Sequence, residues 1–107
     1  MQKVIRERDI ERYLIDQAKK LGGEVRKVKW IGRTGAPDRL VMLPERPVYG
    51  KWGQIAVIKK PRAIWVELKA PGVAPEPHQV REHERMRKMG QRVEVVDSFA
   101  RVDEVLS

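Results

Sequence analysis

The chain has 107 residues, a length that suits one compact domain with a modest core. Lys and Arg total 23 against 15 acidic residues, a formal charge of +8, which favours a polyanionic partner, nucleic acid before an anionic membrane. The absence of cysteine excludes disulfides, thiolate zinc sites and a cysteine nucleophile and fits a reducing cytosol, and neither a membrane span nor the apolar core of a signal peptide is legible.

Residues 4–21 carry Ile10, Tyr13, Leu14, Ala18 and Leu21 at intervals of three and four, which predicts an amphipathic helix stopped by Gly22-Gly23. Glu24 to Trp30 alternates charged and apolar residues, the pattern of a half-buried strand. Residues 32–37, GRTGAP, read as a loop, and Arg39 to Leu43 as a short apolar strand. The stretch 44–62 is broken by Pro44, Pro47, Gly50, Gly53 and Pro61. It reads as a long connection or a β-hairpin with a basic tip at Lys59, Lys60 and Arg62. Residues 63–69, AIWVELK, form the next strand, and a proline-studded loop follows. A second helix runs from about His78 to Met89 and stops at Gly90. Arg92 to Val96 is a further strand, and 100–106 a last helical turn or two. The order α-β-β-β-α-β predicts an α/β or α+β sandwich with a mixed sheet.

Two short stretches carry charge where strands should be apolar. Asp38 follows Gly35-Ala36-Pro37 at the mouth of the Arg39–Leu43 strand, although Asp is depleted in strands. In Glu67-Leu68-Lys69, Glu67 and Lys69 point to one face, about 6.6 Å apart along the strand, while Leu68 points into the core. If the two strands pair, Asp38, Glu67 and Lys69 meet at one edge of the sheet. Two clustered carboxylates raise each other's pKa or recruit a counter-ion. Carboxylates with a backbone carbonyl, here that of Leu68, suit Mg²⁺ or Mn²⁺. Such an ion would activate water against a phosphodiester, with Lys69 orienting the water or offsetting charge on the phosphate.

Pro37-Asp38 followed by Glu67-Leu68-Lys69 resembles the PD-(D/E)xK nuclease signature, most closely its VRR-NUC branch, the virus-type replication-repair nucleases. Gly22-Gly23, Gly35-Ala36-Pro37-Asp38-Arg39, Val66 to Gly72 as VELKAPG, Gln79, Gly90 and Val93-Glu94-Val95-Val96-Asp97 occur in the family's order along nearly the whole chain. The resemblance implies one domain over 1–107 with an α/β, restriction-endonuclease-like core, α-β-β-β-α-β, its mixed sheet flanked by helices. It implies Mg²⁺- or Mn²⁺-dependent DNA cleavage, with Asp38 and Glu67 as metal ligands, the Leu68 carbonyl beside them, Lys69 as the catalytic lysine and Gln79 as the helix-borne glutamine of the site. The family's first-helix glutamate falls on Glu11, with Glu7 one turn away as the runner-up. The family joins its two motif strands by a short turn, so 44–62 is an insertion: a hairpin for DNA contact, a dimer element or a tolerated loop.

Lys27, Lys29 and Arg33 before the first motif, and Arg81, Arg85, Arg87 and Lys88 on the second helix, are candidates for phosphate contacts that carry no sequence preference. His83 reads as a packing residue, and Trp30, Trp52 and Trp65 as core or interface residues. A site cut in both strands needs two active sites, which a two-fold homodimer supplies. The expected activity is therefore cleavage of four-way (Holliday) junctions by a homodimer, in the cytoplasm, or in the host cytosol if the chain is phage-encoded. The alternatives are a flap, single-strand or broad-specificity nuclease, and a non-catalytic basic DNA-binding module.

Overall fold

The computed structural model describes residues 3–107. Helix α1 (Glu7–Lys20) forms because Ile10, Leu14 and Ala18 fall on one face, and all three are fully buried. Gly22 ends it in the left-handed region at φ +80°, and Gly23 follows for reasons of space: a Cβ there would collide with the Met42 carbonyl and come within 2.7 Å of the Leu43 side chain. Six strands follow: β1 (Glu24–Lys27), β2 (Arg39–Leu43), β3 (Arg46–Tyr49), β4 (Ile55–Lys59), β5 (Arg62–Leu68) and, after helix α2 (Pro77–Lys88), β6 (Val93–Val96). Helix α3 (Phe99–Leu106) closes the chain. The Ser98 hydroxyl caps it by accepting from the Arg101 N–H at 3.0 Å.

Four strands form a mixed sheet in the order β1-β2-β5-β6, antiparallel except for the parallel pair β5 and β6. Helix α2 makes the crossover that a parallel pair requires. Ile64, Val66 and Leu68 of β5 join Val41, Leu43 and Val96 in the main core beneath α1 and α3. On the other face lie Trp65 and Glu67, covered by α2 through His83 and Met86. The α/β architecture, with helices on both faces of a mixed sheet, is the one expected.

Two expectations need correction. The first strand stops at Lys27 rather than Trp30. The Val28 N–H still reaches the Asp38 carbonyl at 2.9 Å, but the Trp30 indole then donates to the Pro37 carbonyl at 2.8 Å and folds the segment back as a loop. The insertion is the hairpin β3–β4, and its tip is Gly50–Gln54, where Gly53 takes φ +78°. Lys59, Lys60 and Arg62 therefore stand at its base, and Lys51 and Trp52 at its tip.

One register runs through both sheets. Leu43 pairs with Arg62 and Arg46 with Lys59, so without a slip Pro44 faces Pro61. Neither proline has an N–H to donate, and the ladder is interrupted at that rung. Residues 38–67 thus form a single long ribbon, its ladder interrupted at the prolines. Its near part belongs to the central sheet and its far part projects as the hairpin.

Candidate active site

Asp38 stands one step beyond the last pair of β2 and β5, Arg39 with Val66, and so opposes Glu67 across the ladder. Side chains opposed in this way share a face. The face is the one under α2, away from the main core. Asp38 is exposed at the strand mouth, whereas Glu67 is 9 % exposed. Burial raises the Glu67 carboxyl from 4.5 to about 7; the Lys69 ammonium opposes the rise, while the negative charges of Asp38 and Glu7 add to it. A carboxylate near neutrality inside a charged cluster is the property expected of a working site.

The neighbours of Glu67 come from three elements. Lys69, two residues along the same strand, brings Nζ to 4.0 Å from Glu67 Oε2. Its own N–H pairs with the Val96 carbonyl at 3.0 Å, which continues the β5–β6 ladder and fixes the side chain's direction. Gln79, in the first turn of α2, accepts the Glu76 N–H at 2.8 Å through Oε1 and donates Nε2 to Glu67 Oε2 at 3.4 Å. One amide therefore caps the helix and touches the carboxylate. His83, one turn further on, is 2 % exposed and sets Nε2 3.6 Å from Glu67 Oε1. That nitrogen has no hydrogen-bond partner among the described residues. Burial, then the Arg87 charge, hold the imidazole below its usual pKa and keep it neutral. The expectation of a packing residue missed this contact, although the Gln79–His83 spacing of four already placed both side chains on one helix face.

The loop before Asp38 is held against the same helix. Gly35 takes φ +82°, and a Cβ there would stand 2.9 Å from the His78 carbonyl. Only glycine gives both the left-handed backbone and the close approach. Trp30 packs on Trp65 in a tilted pair with ring centroids 5.2 Å apart, and its indole bond to Pro37 ties the motif loop to the sheet.

Glu11 lies elsewhere. Its carboxylate receives Arg39, at 2.6 Å from Nε, on the α1 side of the sheet. A second guanidinium nitrogen of Arg39 reaches Asp38 Oδ1 at 2.9 Å. Glu11 thus connects to Asp38 through Arg39, while Glu7 is the helix acid whose charge is felt at Glu67. Trp52 is exposed at the hairpin tip, away from the core.

Among the described residues, no three His, Cys, Asp or Glu side chains converge as a ready cage for a metal ion. The donors nevertheless suit a hard divalent ion: a carboxylate raised first by its burial and then by the charge of a second carboxylate opposite it, next to the Leu68 backbone at the strand end. Mg²⁺ keeps several waters and needs only one or two carboxylates from protein. Asp38, Glu67 and the Leu68 carbonyl are the groups that would hold it.

Of the basic residues, Arg33 and Arg85 are committed to the buried Glu82 and Arg87 to Glu84. Lys27, Lys29, Arg81 and Lys88 make no ion pair among the described residues. A cleft of about 350 Å³ beside the site is lined by Lys27, Val28, Lys29, Asp38 and Arg39, a basic approach to the exposed carboxylate. Among the described residues, no helix is long and apolar enough to cross a membrane.

No protein-family model matches the chain. A phage protein named "Putative nuclease p44", from Acyrthosiphon pisum secondary endosymbiont phage 1, is 43% identical over 96 residues, 90% of this chain and 87% of the relative. A solved structure called "VRR_NUC domain" is similar at a TM-score of 0.69 and 42% identity, covering 94% of this chain and 92% of the other.

Proposed function

The chain belongs to the VRR-NUC family, and from that premise we propose that it is a divalent-metal-dependent DNA endonuclease whose substrate is branched DNA, the four-way junction first. Residues 1–107 form its one nuclease domain, Mg²⁺ or Mn²⁺ is the cofactor, and a homodimer is the working species. The cytosol, that of the host for a phage-borne protein, is where it meets DNA.

The observation that carries the reading is the opposition of Asp38 and Glu67 across β2 and β5, with Lys69 on the same edge. Once bound, the metal supplies Lewis-acid polarisation of the phosphate and a water of lowered pKa. The chain's own groups do the rest. Gln79 orients the Glu67 carboxylate from the helix terminus. The Lys69 ammonium lies where it can orient a water or offset charge on a phosphoryl oxygen. Arg39 holds Asp38 from one side and Glu11 from the other, so Glu11 is a positioning residue in this scheme. Lys27 and Lys29 hold the backbone without reading sequence.

The test is cleavage of synthetic four-way junction, flap, linear duplex and single-stranded DNA with Mg²⁺, Mn²⁺ or EDTA, beside the Asp38→Ala and Glu67→Ala variants. Paired, metal-dependent cuts in the junction, reduced at least about a thousandfold in both variants while binding persists, are the expected outcome. Preferential cutting of flaps or single strands would overturn the substrate. Tight binding without cleavage under any metal would leave a binding module.

A further inference from the structure

A single exposed apolar side chain is ordinary, but the setting of Ile31 is not. It is 92% exposed, more than any other large apolar residue described, in the loop between β1 and β2. The loop is braced on both sides of it. Trp30 is tied to the Pro37 carbonyl at 2.8 Å and packed on Trp65. Gly32 reverses the chain at φ +76° in open space, and Gly35 is pressed against α2. Lys29 and Arg33, both exposed, flank Ile31 two residues away on either side. An apolar side chain braced in solvent between two cations, beside the exposed carboxylate of Asp38, is built like the residues that enter a base stack.

The same loop divides two clefts. Its Lys27–Lys29 end lines the basic cleft that holds Asp38. Trp30 and Arg33 line a second cleft, of about 270 Å³, with Trp65, Glu82, Met86 and Met89. Trp65 precedes Glu67 by two residues on one face of β5, about 7 Å along the strand, or roughly two nucleotide steps of about 3.4 Å. Both indole N–H groups are already spent, Trp30 on Pro37 and Trp65 on Gln91 Oε1 at 3.0 Å. The rings therefore offer apolar surface and no donor with which to read a base edge. They are tilted at 48° with centroids 5.2 Å apart, too close for a base to enter between them, so a base would stack on the surface they turn to the cleft. Arg33, half-exposed beside the buried Glu82, adds a guanidinium plane there. Stacking of this kind tolerates any base.

We propose that this loop tells branched from continuous DNA. Ile31 enters the stack beside the scissile phosphate, the backbone keeps to the lysine side, and the displaced base, whatever its identity, lies in the tryptophan cleft. The inference rests on the nuclease reading above and adds to it the source of its structure preference. Unstacking costs least where pairing is already weakened, so the loop engages at a branch and is resisted by an intact duplex.

The test is a four-way junction carrying 2-aminopurine at one position at a time around the branch point, bound in EDTA to the wild type, Ile31→Ser and Met89→Glu. Far-ultraviolet circular dichroism checks that each variant folds. The expected result is an emission change of at least about twofold at one position with the wild type, lost in Ile31→Ser, which cannot unstack the base, and in Met89→Glu, which sets a carboxylate in the cleft. With Mg²⁺, Ile31→Ser should cut the intact junction at least about tenfold more slowly, and unpairing the base at the responsive position should restore its rate to near that of the wild type. No responsive position with the wild type, a response that survives either variant, or an unchanged rate in Ile31→Ser would overturn the proposal. The emission is read without metal, so a wild type that shows the response yet cuts nothing refutes the nuclease reading and not the loop's part in recognition.

Discussion

Replacing Glu67 by Gln keeps its shape and removes its charge, and should stabilise the metal-free protein above neutral pH. The Glu67 carboxyl is raised from 4.5 to about 7, by burial first and then by the charges of Asp38 and Glu7, against the opposing Lys69. A group raised in the folded state contributes its full stability below its unfolded value, about 4.5, and loses it as pH climbs through about 7. Between pH 5 and pH 8 the wild type should therefore lose about 2 to 3 kcal/mol that Glu67→Gln retains. Urea unfolding of both proteins at the two pH values in EDTA measures this. With an m-value of about 1–3 kcal/mol per molar, the variant's midpoint should exceed the wild type's by about 1 M or more at pH 8, and the gap should narrow sharply at pH 5. Saturating Mg²⁺ should stabilise the wild type at pH 8 and leave Glu67→Gln nearly unchanged. A pH-independent difference, or a less stable variant at pH 8, would refute the account of Glu67 as a buried charge without its counter-ion.

Other expectations concern the frame of the site. Gly35→Ala forces a left-handed non-glycine residue against the His78 carbonyl and should cost about 1–3 kcal/mol, read by urea unfolding, with a matching loss of Mg²⁺ affinity by calorimetry. Glu7→Gln should lower the pKa of Glu67, because it removes one of the charges raising it; the midpoint of the metal-free pH–stability profile reports the shift. Glu11→Gln should instead weaken the Arg39 tie between α1 and β2, costing about 1–3 kcal/mol without moving that midpoint. If Glu11→Gln moves it and Glu7→Gln does not, the division of labour between the two acids is the wrong way round.

Much of this was legible because period and punctuation agreed. The stripe from Ile10 to Leu21 and the glycines at 22 and 23 placed α1, and VELKAPG placed the buried strand end with Glu67 and Lys69 on one face. Other features lay in contacts no local pattern carries. Trp30 fits the alternation of a strand, yet its indole prefers the Pro37 carbonyl, and that tertiary bond ended β1 early. The two glutamates of α1 differ by one turn in sequence, but Arg39 occupies one of them and leaves the other's charge to act on Glu67. His83 looked like filler because burial and function place a histidine on the same helix face.

The shared register from Asp38 to Val48 makes the distant turn a counting device. Each residue of β2–β3 is matched to one of β4–β5 by closure at Gly50–Gln54, and the single irregularity is the bulge beside Tyr49. Pairing that starts at this tight turn would zip past the proline rung and bring Asp38 opposite Glu67 as its last step. Side chains alternate along a strand, so removing one residue near the tip, some 40 Å from the carboxylates, would set Leu68 where Glu67 belongs unless the bulge absorbed the change. Insertions and deletions in this arm are therefore constrained by parity rather than by length: the chain can gain or lose residues there in matched pairs, one on each strand, and keep the two acids facing each other.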